Sequence, residues 1–244
     1  MKVLGKTSAL LALAAALLLF PLIDCFASSA AVKPDAALRQ AFPDIPFDSV
    51  EPTDITGLYE VTSGATVFYY YPEKDYLIIG SIYTKDKKDL TAQKKRDISS
   101  RLVGTLPLDK AVKVGNGKTK VIEITDPDCP FCKKASEYFK NRTDVTRYVF
   151  FAPLAHPAAI EKIKYILNSQ DKEKAYLEMM EGKVTPPAKA TYSDAVTKLA
   201  QEHLALAKMV GVQGTPTFFI NGTMVVGADI PQIEKLLKEP APQK

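Results

Sequence analysis

The 244-residue sequence has no tryptophan, two histidines and three cysteines. The missing tryptophan excludes nothing, but the scarcity of histidine and cysteine excludes a good deal. A structural zinc site takes four ligands. Beyond the Cys129/Cys132 pair, the soft candidates are Cys25, His156 and His203, and the histidines lie far apart without a paired spacing. No metal and no cofactor is therefore expected. Three cysteines also leave no disulfide framework. The net charge is only +4, and the lysine-rich stretch near residue 90 is interrupted by Asp86, Asp89 and Asp97. Nucleic acid and membrane surfaces are poor partners for such a chain. The longest apolar run, Ala9 to Phe20, falls short of the about 20 residues that a membrane-spanning helix needs. Internal repeats and low-complexity segments are absent too.

What that apolar run does suit is export. Lys2 and Lys6 precede it, Pro21 follows, and Ser28 with Ala30 offers a cleavage pair. Residues 1–30 are expected to be a signal peptide. A lipoprotein reading, with Cys25 acylated in Leu22-Ile23-Asp24-Cys25, is disfavoured because Asp24 stands where a small residue is wanted. Export with cleavage leaves Cys129 and Cys132 as the two cysteines of the mature chain.

The remaining residues divide by pattern. Residues 35–42 read as a short helix, and Pro43, Pro46 and Pro52 punctuate a loop. Aromatic and β-branched runs at 57–62, 65–71 and 76–83 read as an antiparallel meander with turns at Ser63-Gly64 and 72–75. Apolar residues fall on both faces of the second and third runs, so a second layer must cover them, either the next domain or a partner chain. Residues 88–104 read as a helix with few apolar positions, the pattern of a helix that bridges domains through solvent. Beyond it, 120–125 and 145–151 read as strands. Residues 157–210 read as helical with a break at 185–187, and 217–226 as a hairpin about Asn221-Gly222. Residues 230–238 read as a closing helix. This order describes a mixed sheet flanked by helices. The expected divisions are an N-terminal domain at 31–87, a linker helix at 88–106, and a second domain at 107–244 with its helical insertion at about 157–210.

The chemistry centres on Cys129-Pro-Phe-Cys132, at the end of one strand and the start of a helix. Cys129 falls at the N-cap, and Pro130 suits the first turn because its missing N–H would be unbonded there anyway. Free N–H groups and the positive helix end favour a thiolate at Cys129. Cys132, one turn on, should face inward. A disulfide across two intervening residues closes too small a loop to stabilise much. Redox exchange is the use that remains. Glu123, six residues before Cys129, is read either as a carboxylate beneath the pair that takes the proton of Cys132 or as a solvated strand residue. Asp126 and Asp128 crowd the motif with negative charge that opposes a thiolate, which leaves the net effect on Cys129 unsigned.

Together with Gly214-Thr215-Pro216-Thr217 before a strand, the cysteine motif resembles a thioredoxin-fold domain, in which the proline is cis and faces the cysteines. With the meander, linker helix and helical insertion, the mature chain resembles the periplasmic DsbC/DsbG disulfide isomerases. Its segment 77–83 is similar to the closing strand of that family's dimerisation domain. The resemblance implies an α+β fold: a small N-terminal dimerisation domain, a linker helix, and a C-terminal thioredoxin-like domain. It also implies a V-shaped homodimer and periplasmic location. Its substrates would be misfolded exported proteins, and a membrane thiol reductase of the DsbD type would keep it reduced. Thr215 and Pro216 would hold the substrate backbone. The second, structural cysteine pair of some members is missing. Pro130-Phe131 lies nearer the dipeptide of DsbG, and Glu123 is reminiscent of the oxidase branch. Isomerase action leads; a reductase or protector of single cysteines, an oxidase and a holdase chaperone are the rivals.

Overall fold

A computed structural model describes residues 33–188 and 190–239. The expected signal segment and Cys25 lie outside the described residues. Among those that are described, no helix is long and apolar enough to cross a membrane.

The N-terminal part begins with helix α1 (Pro34–Ala41) and a four-stranded antiparallel sheet. Its strands are β1 (Ser49–Pro52), β2 (Tyr59–Ser63), β3 (Thr66–Tyr71) and β4 (Tyr76–Ile78), in that spatial order. β1 falls where the prolines suggested a loop. It is an edge strand, and Pro52 at its end costs no ladder bond that the sheet needs. The run expected at 76–83 pairs with β3 only over Tyr76–Ile78, Tyr83 makes a separate bridge to Asp89, and Ile79 is 90% exposed.

β3 is apolar on both sides and is covered on both. Phe68 and Tyr70 pack with Leu38 of α1 and Val61. Val67 and Tyr69 pack with Leu58 and with Ile98 of helix α2 (Leu90–Leu102). The expectation that α2 merely bridges through solvent is corrected here. It buries Thr91, Ile98 and Ser99, and it packs on β3 and on β9 (Thr223–Val226) of the second sheet. Few apolar residues suffice because small Ser99 permits close approach. Its start is fixed by Asp89, whose side chain accepts from the Ala92 N–H.

The second sheet has five strands. They are β5 (Val112–Val114), β6 (Thr119–Thr125), β7 (Val145–Phe151), β8 (Thr217–Ile220) and β9, ordered β5-β7-β6-β8-β9. β6 and β7 run parallel, and the other pairs are antiparallel. The β6-to-β7 crossover carries helix α3 (Pro130–Phe139), as a parallel pair requires. The insertion contributes α4 (Ile160–Asn168), α5 (Lys172–Met180) and α6 (Asp194–Met209), and α7 (Ile230–Lys238) closes the chain. One face of the sheet packs α4 and α5 around Val149, Phe151, Ile163, Ile166 and Tyr176, next to both cysteines. Ile122, Ile124 and Phe150 meet Ala207 and Val210 on the other face.

Gly211 joins the two parts. Its φ is +77°, and a Cβ there would lie 2.5 Å from Ala65 Cβ at the β2–β3 turn and 3.0 Å from Ser99 Oγ. Only glycine fits that approach.

Candidate active site

Thr125 ends β6, residues 126–129 turn, and Pro130 opens α3, so the strand delivers Cys129 to a helix N-terminus. Cys129 has extended backbone at the N-cap and donates its N–H to the Asp126 carbonyl at 3.1 Å. Its Sγ lies 3.4 Å from the Thr215 carbonyl oxygen, with the thiol as donor. The Thr215–Pro216 bond is cis, and the Pro216 carbonyl accepts the Gly227 N–H at 2.7 Å. Residues 86 apart in sequence are thus brought into contact, and the flanking Phe131 ring stands 63% exposed.

The two sulfurs differ in depth: Cys129 is 6% exposed and Cys132 is sealed. The Asp126 N–H points at Cys132 Sγ at 3.4 Å. Burial pushes the Cys132 thiol far up, while Thr125, the Asp126 amide and Thr215 offset only part of that. Cys132 therefore holds its proton, and Cys129, at the helix end, is the sulfur placed to attack.

Glu123 does not stand in solvent. It is fully buried, so it is no solvated strand residue, and its two oxygens are taken. Arg147 Nη1 donates to Oε2 at 2.9 Å and Tyr176 OH donates to Oε1 at 3.0 Å. Burial, and then the Glu123 charge, push the Tyr176 hydroxyl up, so it stays a donor. Glu123 belongs to a buried ion pair, because β7 sets Arg147 beside it on the same face of the sheet. The lone arginine in the apolar run 145–151 was the sequence signal for that partner, since arginine is almost never fully buried unless paired.

Asp126 and His156 form a second pair that the spacing concealed. Asp126 is fully buried, its Oδ2 lies 2.8 Å from His156 Nδ1, and its Oδ1 accepts the Asp128 N–H at 2.9 Å. Asp128 in turn holds Lys162 Nζ at 2.5 Å. His203 lies on the other side of β7. Its Nδ1 accepts the Phe151 N–H at 3.2 Å, so Nε2–H donates to the Lys110 carbonyl at 3.0 Å. Burial lowers its pKa to about 4, which keeps it neutral. Among the described residues no cluster of three or more candidate ligands is arranged to hold a metal ion.

Two family models match the chain. One, described as a disulfide bond isomerase protein N-terminal domain, matches residues 25–92, and one described as a thioredoxin-like domain matches residues 106–239. The probable thiol:disulfide interchange protein DsbC of Bordetella avium is 32% identical over 191 residues, covering 76% of this chain and 66% of that protein. That of Bordetella parapertussis is 30% identical over 177 residues, covering 70% and 61%. The chain thus spans somewhat under two thirds of the length of these relatives. The thiol:disulfide interchange protein DsbC of Escherichia coli is 28% identical over 227 residues, covering 88% and 91%. Among solved structures, a disulfide interchange protein from Neisseria gonorrhoeae is 35% identical with a TM-score of 0.49, covering 57% of this chain and all of that one. The thioredoxin-like match takes in more than half of the sequence, and the isomerase N-terminal match precedes it. The chain belongs to the thioredoxin-like family, and its residues 25–92 are similar to the N-terminal domain of disulfide bond isomerases.

Proposed function

We propose that this chain is a thiol–disulfide exchange enzyme that isomerises or reduces non-native disulfides in exported proteins. One observation carries the reading: a helix-end Cys129 faces the Thr215 carbonyl beside cis-Pro216, with Cys132 sealed behind it. The Cys129 thiolate attacks one sulfur of a substrate disulfide. A new S–S bond forms, the old one breaks, and the other substrate sulfur leaves as a thiolate. That thiolate can attack elsewhere in the substrate and return Cys129 as a thiolate, with no net oxidation. If it does not, Cys132 loses its proton and attacks Cys129, releasing reduced substrate and an oxidised pair. Thr215 and Pro216 hold the substrate backbone against the pair, Thr215 through its backbone N–H and C=O groups. No cofactor takes part.

The same reading includes a homodimer formed through residues 31–87, a linker over 88–106 and a redox domain over 107–244. Support for the dimer is the apolar surface left at Tyr76, Ile78 and Ile79. An apolar groove of about 400 Å³ adjoins it, lined in part by Ile45, Phe68, Leu77 and Ile79. It also places the mature protein in the periplasm, where a DsbD-type membrane thiol reductase regenerates the pair. The test is reactivation of a multi-disulfide protein trapped with scrambled bonds, in glutathione buffer. The parent protein should reactivate it well above buffer, and Cys129→Ser should fall to the buffer rate. Equal rates for the two would sink the proposal.

A further inference from the structure

Four charged groups stand around the cysteine motif in two pairs. Asp128 is bound by Lys162 of α4, and Asp126 by His156, which lies just ahead of the short turn at Pro157–Ala159. The pairs are not equivalent. Lysine keeps its proton across the working range, whereas histidine exchanges its own between about pH 5 and 8. Asp126 is also the residue whose backbone bonds to both cysteines: its amide N–H reaches Cys132 Sγ, and its carbonyl receives the Cys129 N–H. Its carboxylate is fully buried, while His156 is 38% exposed at the side chain and open to bulk protons.

The other charged groups leave this balance to His156. Glu123, three residues back on β6, is matched by Arg147. His203, packed on β7, is neutral. Lys133 and Lys134 follow Cys132 on α3, with no carboxylate in ion-pair distance among the described residues. The facing Thr215–Pro216 loop brings no charge.

We propose that His156 is a positioning residue that sets, through Asp126, the charge felt by the cysteine pair. Protonated, it cancels the Asp126 carboxylate and favours a thiolate. Neutral, it leaves a buried anion on the residue whose backbone bonds to both cysteines, and that charge opposes one. The proposal deepens the exchange reading and rests on it only for its consequence: attack from Cys129 is held closer to constant as pH changes, because the gain in thiolate at higher pH is offset by the uncovered anion.

The rate of alkylation by iodoacetamide reads the thiolate directly and needs no exchange activity. In the reduced protein it should be followed across the range of histidine titration. His156→Ala should cut the thiolate fraction about tenfold near the acid end of that range. His156→Arg should keep that fraction and carry it to higher pH without the inflection. The pair Asp126→Asn/His156→Ala should recover what His156→Ala alone loses. If stranding Asp126 prevents His156→Ala from folding, the arginine variant and the two-site variant still decide. Profiles of folded variants that superimpose on the parent, or no recovery in the two-site variant, would overturn the role of His156. A parent protein that shows the profile yet reactivates no scrambled substrate would instead overturn the exchange reading.

Discussion

Removing the Arg147 guanidinium would strand Glu123 as an unpaired buried charge in the second sheet. Arg147→Met should cost about 3–5 kcal/mol, whereas Glu123→Gln with Arg147→Met together should cost much less. Urea unfolding midpoints of the three proteins check this; equal losses for the single and double variants would contradict it. His203 gives a pH-dependent term. The unfolded ring takes its proton near about 6.5, the folded one only near about 4. Between those values the unfolded chain binds the extra proton. Stability is therefore full above about pH 6.5 and declines as pH falls, by up to about 3 kcal/mol. His203→Gln should flatten that part of the stability profile, measured by urea unfolding at a series of pH values. Cys129 and Cys132 could be singled out in the sequence because their meaning lies in local spacing, and Thr215 and Pro216 through the resemblance to a thioredoxin fold. The partners of Glu123 and Asp126 could not, since strand register and a loop return 30 residues later decide them.

At the scale of elements, Gly211 tests how far the meander and the redox domain depend on each other. Gly211→Ala places a methyl against Ala65 and Ser99 in a backbone conformation that alanine resists. It should destabilise the protein by about 1–3 kcal/mol. Circular dichroism during denaturation reads the loss, and an unchanged midpoint would show the contact to be dispensable. The long apolar strands β3, β6 and β7 and the β8–β9 hairpin were legible from the sequence, since their runs and turn residues are strong. Short β1 and β5 were not: each is an edge strand held by one neighbour, and Pro52 masks the first. The packing of α2 was hidden for a different reason. Its contact depends on one isoleucine and small polar residues, which weigh little in an apolar pattern.

For the whole molecule, the exposed Ile79 is the place to separate assembly from chemistry. If the proposed dimer and exchange activity hold, Ile79→Asp should yield a monomer by sedimentation while leaving reduction of small disulfides intact. A dimer that persists would move the interface elsewhere. The apolar excess of residues 65–83 was readable from sequence, but not its division. α2 takes up Val67 and Tyr69, and the surface at Ile78 and Ile79 stays open. The unequal depth of the two sulfurs also has a consequence in time. In the proposed exchange, a captured substrate would stay tethered to Cys129 until Cys132 gives up a proton that its burial holds firmly. That delay is a dwell period, in which the tethered chain can sample other cysteine pairings before it is let go.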